Sequence, residues 1–265
     1  MRRKARPSSA AETQLIYGEV FHAYKTARGW LWGQGESLLP GTSYPGYVGW
    51  IRRSDLSEIG PKPSQKIISV SAPVFTKANI KSPVKKYLAL NSVVSGEIND
   101  KFVKTEHGYI RQSHVSPIGA PARHADWISV AESLIGQPYI WGGISSFGLD
   151  CSGLVQTALK AFGKDAPRDS DQQALIGEAV TITQDLSGLK RGDLIFWKGH
   201  VGIMTSPTRL LHANAHHMMV AAEPLITAAA RIEETTGTIT GIRRLQISLN
   251  CHFGAAKPNP EGREI

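Results

Sequence analysis

From residue 15 to about residue 59, short apolar runs alternate with glycine, and nothing repeats at helical spacing. Residues 16–21, 29–34 and 46–51 are rich in β-branched and aromatic side chains, which predicts three strands. Strands this short close most simply as a small β-barrel. Gly60-Pro61-Lys62-Pro63-Ser64 reads as a linker. A second β-rich stretch runs from about residue 66 to residue 117, with strands expected at 67–70, 74–75, 87–90, 92–96 and 102–104. Gly108-Tyr109-Ile110-Arg111 echoes Gly46-Tyr47-Val48-Gly49, which suggests a diverged repeat. Residues 116–121 form a second linker, rich in proline and glycine.

The periodicity then changes. Over residues 125–135, Trp127, Ile128, Ala131, Leu134 and Ile135 fall on one helical face, and Gly136 and Pro138 end the helix. A second helix is predicted over 151–162, apolar at Leu154, Val155, Ala158, Leu159 and Phe162, with Gly163 as its stop. Ser170-Asp171-Gln172-Gln173 has the form of a capping box opening a short third helix. Strands are expected at 194–197, 200–204, 210–213 and 238–245. Helices followed by an antiparallel sheet make this part an α+β domain. The expected division is a disordered tail over 1–14, barrels over 15–60 and 61–120, an α+β domain over 121–250, and a tail over 251–265.

At 265 residues, 41% hydrophobic and 20% charged, the chain has enough apolar material for two or three cores. Its net charge of +8 comes without a basic stripe interleaved with aromatics, so nucleic acid is not an expected partner. The dense basic run, Arg2, Arg3, Lys4 and Arg6, sits in the expected tail. Two cysteines, Cys151 and Cys251, are too few for a disulfide framework. Residues 7–13 supply no apolar signal core, and no run is long enough to span a membrane, so a cytoplasmic location is expected, with periplasmic or secreted as alternatives.

Cys151 opens its helix, where unpaired N–H groups and the helix dipole favour a thiolate. Taken alone, it is as readily a buried structural cysteine. His200 and His212 lie twelve residues apart around the turn Ser206-Pro207-Thr208, so a hairpin would bring them to one face. His200 could then take the thiol proton while His212 orients its ring. A metal site built from Cys151, His200, His212 and His216-His217 is the competing reading, but no Cys-x-x-Cys or His-Glu-x-x-His spacing supports it.

Tyr139-Ile140-Trp141-Gly142-Gly143, Asp150-Cys151-Ser152-Gly153-Leu154-Val155, residues 192–197 and residues 200–203 resemble, in this order, the NlpC-type papain-like cysteine peptidases. The resemblance covers about residues 124–245. The two β-rich stretches look like the bacterial Src-homology-3-like domains that precede this domain in one subgroup, mainly through Gly18-Glu19, Gly29-Trp30 and residues 46–49. That subgroup consists of γ-D-glutamyl-L-diamino acid endopeptidases, the dipeptidyl-peptidases VI, which cut stem peptides with a free N-terminal L-Ala. The resemblance implies Cys151 as nucleophile, His200 as base, His212 as orienting partner and Tyr139 in the oxyanion hole. It implies that Trp141, Asp150, Ser152, Asp169 and Ser170 line substrate subsites, and that Glu19 and Tyr47 close the pocket around the substrate amine. It further implies murein stem peptides as partners, no cofactor and a place in wall recycling. The alternatives are a wall-fragment binder with a degenerate catalytic domain, and an amidase or transacylase using the same site.

Overall fold

The computed structural model describes residues 1–36, 46–183 and 185–247, so Cys251 and the predicted tail around it lie outside the described residues. β1 (Phe21–Ala27), β2 (Trp30–Gly35) and β3 (Val48–Arg52) form an antiparallel sheet in that order. Arg28 and Gly29 both take positive φ between β1 and β2, as a two-residue hairpin requires. The strand predicted over 16–21 starts only at Phe21. Gly18, at φ +91°, makes a turn pressed so close to Val93 that a Cβ would collide with its carbonyl oxygen.

Residues 1–14 are not a disordered tail. Arg2 exchanges backbone hydrogen bonds with Trp50 at 2.7 and 2.8 Å, extending the free edge of β3, and pairs with Ala11 on its other side. The Met1 ammonium donates to the Thr13 carbonyl at 2.5 Å. Backbone pairing of this kind needs no apolar periodicity, so a polar segment can be ordered by it. The segment also ties the first sheet to the α+β domain: Arg168 donates to Thr13 Oγ1 at 2.9 Å, and the Ile144 N–H donates to the Gln14 side chain at 3.1 Å.

The second β-rich stretch contains β4 (Gln65–Ile67), β5 (Ser71–Phe75), β6 (Val84–Ala89), β7 (Val93–Val94), β8 (Gly96–Asn99), β9 (Phe102–Thr105), β10 (Gly108–Arg111) and β11 (Val115–Pro117). They make two sheets, β6-β5-β10-β9-β8 and β11-β4-β7. Between the sheets lies a separate core of Ile67, Val74, Leu88, Val103, Ile110 and Val115. The echoed motif has a structural counterpart, since β3 and β10 each run straight into a single 3-10 turn. Asn91 donates to the Thr157 carbonyl at 2.9 Å and joins this unit to the α+β domain.

That domain opens with α1 (Trp127–Glu132), which is shorter than predicted. Asp126 caps it by accepting from Ser129 N at 2.6 Å, and Ile135, expected on the buried face, is 50% exposed. β12 (Ile144–Ser145) and β13 (Gly148–Leu149) form a small hairpin before α2 (Cys151–Ala161). α3 (Ser170–Gln173) follows, with Asp169 rather than Ser170 at its cap position and no capping side-chain bond. The predicted capping box is absent because Gln173 turns inward and donates to the carbonyls of Ser152 and Pro167.

β14 (Glu178–Ala179), β15 (Asp193–Trp197), β16 (His200–Ser206), β17 (Arg209–Asn214), β18 (Met219–Pro224) and β19 (Gly241–Arg244) form one antiparallel sheet, ordered β14-β19-β15-β16-β17-β18. α4 (Leu225–Thr236), which the sequence reading passed over, connects β18 to β19. One face of the sheet packs Val201, Ile203 and Leu211 against Leu154, Val155 and Ala158 of α2. The other packs Ile195, Met204 and Leu210 against Leu225 and Ala228 of α4. Among the described residues no helix is long and apolar enough to cross a membrane.

Candidate active site

The apolar face of α2 seats the helix on the sheet and leaves Cys151 at its N-terminus, beside the start of β16. The Cys151 sulfur lies 4.0 Å from the Gly199 carbonyl, and the Val201 N–H points to it, so the nucleophile faces the backbone on both sides of His200. Burial is the main influence on the thiol and pushes it up to about 11; Asp150 adds to the rise, and N–H groups of Val201 and Ser152 oppose it. His200 is pushed down to about 3, first by burial and then by the positive side of its neighbours His212 and Arg231. The resting pair is therefore a thiol and a neutral imidazole. Desolvation outweighs the pull of the helix terminus toward a thiolate here.

The hairpin brings the two histidines together as predicted. Ile203 pairs with Leu211, so by extension of the register His212 lies opposite Gly202 and diagonally from His200, on the same face. His200 Nε2 and His212 Nδ1 are 2.8 Å apart. His212 is fully buried, and its Nε2 lies 2.8 Å from Glu223 Oε1, whose carboxylate also takes a hydrogen bond from Arg231. Glu223 and Arg231 were not anticipated, because their approach depends on the register of β18 and on α4.

Tyr139 is half-buried near Cys151; burial first, and the nearby Cys151 and Asp150 charges next, push its phenol up to about 12. It stays protonated at neutral pH and can donate a hydrogen bond. Trp141 is 68% exposed and offers a flat apolar face to solvent rather than filling the core. Gly142 takes φ +77°, and a Cβ there would meet the backbone of Glu12 and Thr13 at 3.2–3.3 Å. The glycine pair thus lets the N-terminal segment lie against the loop that precedes the nucleophile.

Asp150 and Ser152, which the resemblance places on substrate subsites, also hold the local fold together. Asp150 caps α2 by accepting from Gly153 N at 2.7 Å, accepts from Gly142 N at 2.9 Å, and holds Arg168 through both oxygens. Ser152 is buried and accepts from the same guanidinium at 2.9 Å. This network fixes the N-terminal end of α2, where Cys151 sits.

Glu19 lies against the far end of α2. Its carboxylate ion-pairs with Lys160 and accepts from Ile16 N. Lys160 is nine residues along α2 from Cys151, which at 1.5 Å per residue is about 13 Å. Glu19 and Tyr47 do line one cavity, and none of Cys151, His200, His212 and Tyr139 borders it. Glu12 is a further carboxylate in the electrostatic neighbourhood of Tyr47 and Asp169. Burial, then Asp169 and then Glu12 raise the Tyr47 phenol, and the Asp169 carboxyl is raised by burial against the opposing pull of Arg168. Glu12 also accepts from Arg3 at 2.8 Å. Ser170 begins α3 next to Asp169 and is half-buried.

One cluster could be read as a metal site: donor atoms of His212, His217 and Glu223 lie within 4.8 Å of one another. Arg231 already holds the Glu223 carboxylate, and His217 Nδ1 lies 3.1 Å from Asn214 Oδ1, so a cation would have to displace both. The donor set fits a hydrogen-bond relay. His216 stacks edge-on against His217 and stands apart from the relay.

The chain matches the NlpC/P60 family over residues 136–231, and the bacterial dipeptidyl-peptidase Sh3 domain over residues 1–56. The second match begins at the first residue, in keeping with the ordered N-terminal segment. The chain is 30% identical over 216 residues to a gamma-D-glutamyl-L-lysine dipeptidyl-peptidase of Bacillus subtilis (strain 168), covering 76% of this chain and 72% of that protein. A protein of the same name from Bacillus cereus (strain ATCC 10987 / NRS 248) is 28% identical over 258 residues, covering 85% and 74%. The crystal structure of an NlpC/P60 family protein from Bacillus cereus ATCC 10987 superposes with a TM-score of 0.71 at 26% identity, covering 88% of this chain and 81% of that one.

Proposed function

We infer, from the premise that this chain belongs to the NlpC/P60 family and is a cysteine endopeptidase, that it hydrolyses the γ-D-Glu to diamino acid bond of peptidoglycan stem peptides bearing a free N-terminal L-Ala. The observation that carries this reading is the 2.8 Å contact between His200 and His212 beside a cysteine at a helix N-terminus. In the proposed reaction, His200 takes the thiol proton as Cys151 attacks the γ-carbonyl. The Cys151 N–H and the Tyr139 hydroxyl donate to the oxyanion. The tetrahedral species collapses to a thioester, and the proton on His200 passes to the leaving amine of the diamino acid. Water, deprotonated by His200, then hydrolyses the thioester and frees the thiol.

Glu12 and Asp169, with the Tyr47 hydroxyl, are the groups we assign to the substrate ammonium in place of Glu19. Their support is position: Glu12 is carried to the Gly142 loop by the N-terminal segment, and Asp169 starts α3 beside Arg168. Stem peptides still attached to glycan have their L-Ala amine acylated, so this recognition fits recycling of severed fragments, and a cytoplasmic site of action. We read the second β unit as a further Src-homology-3-like domain, on the strength of its separate core and the shared strand-to-turn motif.

The test is product identification. Incubation with L-Ala-γ-D-Glu-diaminopimelate, and separately with the L-Lys peptide, is expected to release L-Ala-γ-D-Glu in mass spectra. Release of L-Ala alone, or of intact tripeptide from muramoyl substrates, would overturn the assigned bond.

A further inference from the structure

The buried relay does not end at His212. Glu223 closes β18 and Arg231 sits two turns into α4; both reach the α4 side of the sheet, where Glu223 Oε1 is 2.8 Å from His212 Nε2. A carboxylate accepts hydrogen bonds and does not donate them. The proton of a neutral His212 must therefore sit on Nε2, leaving a lone pair on Nδ1. That lone pair faces His200 Nε2 at 2.8 Å, so His200 donates from Nε2 and keeps its own lone pair on Nδ1.

The opposite arrangement would fail. With its proton on Nδ1, His212 would donate to His200 Nε2 and force the His200 proton onto Nδ1. His200 would then have no free lone pair for the thiol. Nothing within the two rings prefers one arrangement to the other; the external acceptor decides. We propose that Glu223 is a positioning residue that sets the tautomers of His212 and His200, with Arg231 anchoring its carboxylate. The proposal rests on Cys151, His200 and His212 being the catalytic set. The charged and titratable groups around the relay are Cys151, His217, Glu223 and Arg231. Of these, Glu223 alone is an anion in contact with a relay ring.

When His200 becomes an imidazolium, both its nitrogens donate, and the His212 lone pair is still correctly placed to accept. The Glu223 charge then stabilises the cation through His212 in surroundings that exclude water. Arg231 keeps that charge from swinging away, because its guanidinium donates to the same oxygen that meets His212.

The test combines the ring spectra of the unaltered protein with two variants. In the full chain, 15N spectra of the imidazoles should show His212 protonated at Nε2. Glu223→Leu should lower kcat about ten- to a hundredfold, the range seen when an outer partner of a working histidine is lost, with KM little changed. Glu223→Gln, which keeps an acceptor oxygen and the shape, should recover most of that loss. A His212 protonated on Nδ1 in the unaltered protein overturns the proposal, and so does a folded Glu223→Leu protein whose kcat and His212 spectrum match the parent. Cys151→Ala and His212→Leu run alongside. If they lose activity while Glu223→Leu keeps it, the positioning role falls and the catalytic set stands. If they keep activity, the catalytic set falls and takes the proposal with it.

Discussion

The task proposed for each side chain of the site follows from its surroundings. Cys151 rests as a thiol because burial outweighs the helix terminus, so attack needs a base, and His200 is held neutral to serve as one. Cys151→Ala is expected to abolish turnover, and Cys251→Ala to leave it near the parent value, in a peptide-hydrolysis assay. His200→Ala should reduce kcat more than His212→Asn does, since losing a base costs more than loosening its support. The same burial predicts a pH effect on stability. His200 and His212 are both lowered in the folded protein, so below about pH 6.5 the unfolded chain binds protons that the folded chain refuses. Stability is thus present above that pH and is lost as pH falls toward about 3. Urea midpoints measured at pH 7 and pH 5 should differ in that sense, by roughly 1–2 kcal/mol from His200 alone. A higher midpoint at pH 5 would contradict it. The acid limb of kcat/KM should likewise lie well below the usual histidine range.

At the scale of elements, α2 is held at its catalytic end by a buried pair, Asp150 with Arg168, whose side chains are 11% and 7% exposed. Asp150→Ala removes the cap and leaves a buried guanidinium without its partner, which should cost about 3–5 kcal/mol in a denaturation midpoint. Gly142→Ala places a Cβ against the Glu12 and Thr13 backbone at a positive φ, so it should lower Tm and activity together. The cysteine-bearing helix and the two-histidine hairpin were legible in the sequence because each rests on local signals: apolar spacing in α2, and a turn midway between His200 and His212. α4 carried a readable pattern at Leu225, Ala228 and Ile232, masked by a run of alanines too small to mark a face. The resemblance assigns Asp150 and Ser152 to substrate subsites, and nothing local in the sequence marks their structural partner. That partner, Arg168, lies 18 and 16 residues away, and only folding brings it in. Glu223 was hidden for the same reason, since the register of β18 puts it beneath His212.

The whole molecule depends on its N-terminal segment, which no periodicity marks. Its order comes from pairing with the edge of β3, and it delivers Glu12 to the neighbourhood of Tyr47 and Asp169. Glu19, assigned to the amine through the resemblance, has its carboxylate paired with Lys160. Deleting residues 2–13 should therefore lower Tm and also weaken the capture of free stem peptides, seen as a rise in KM. Glu12→Gln should raise KM with a smaller effect on Tm, because it changes the charge while keeping the backbone pairing. A carboxylate on an ammonium in a partly desolvated cleft gives about 1.5–3 kcal/mol of discrimination. The most direct measurement is kcat/KM of the full chain on L-Ala-γ-D-Glu-diaminopimelate and on its N-acetylated form. The free peptide is expected to be cut at the γ-D-Glu bond at least about tenfold faster, as 1.5 kcal/mol or more demands; equal rates on the two peptides would contradict the account.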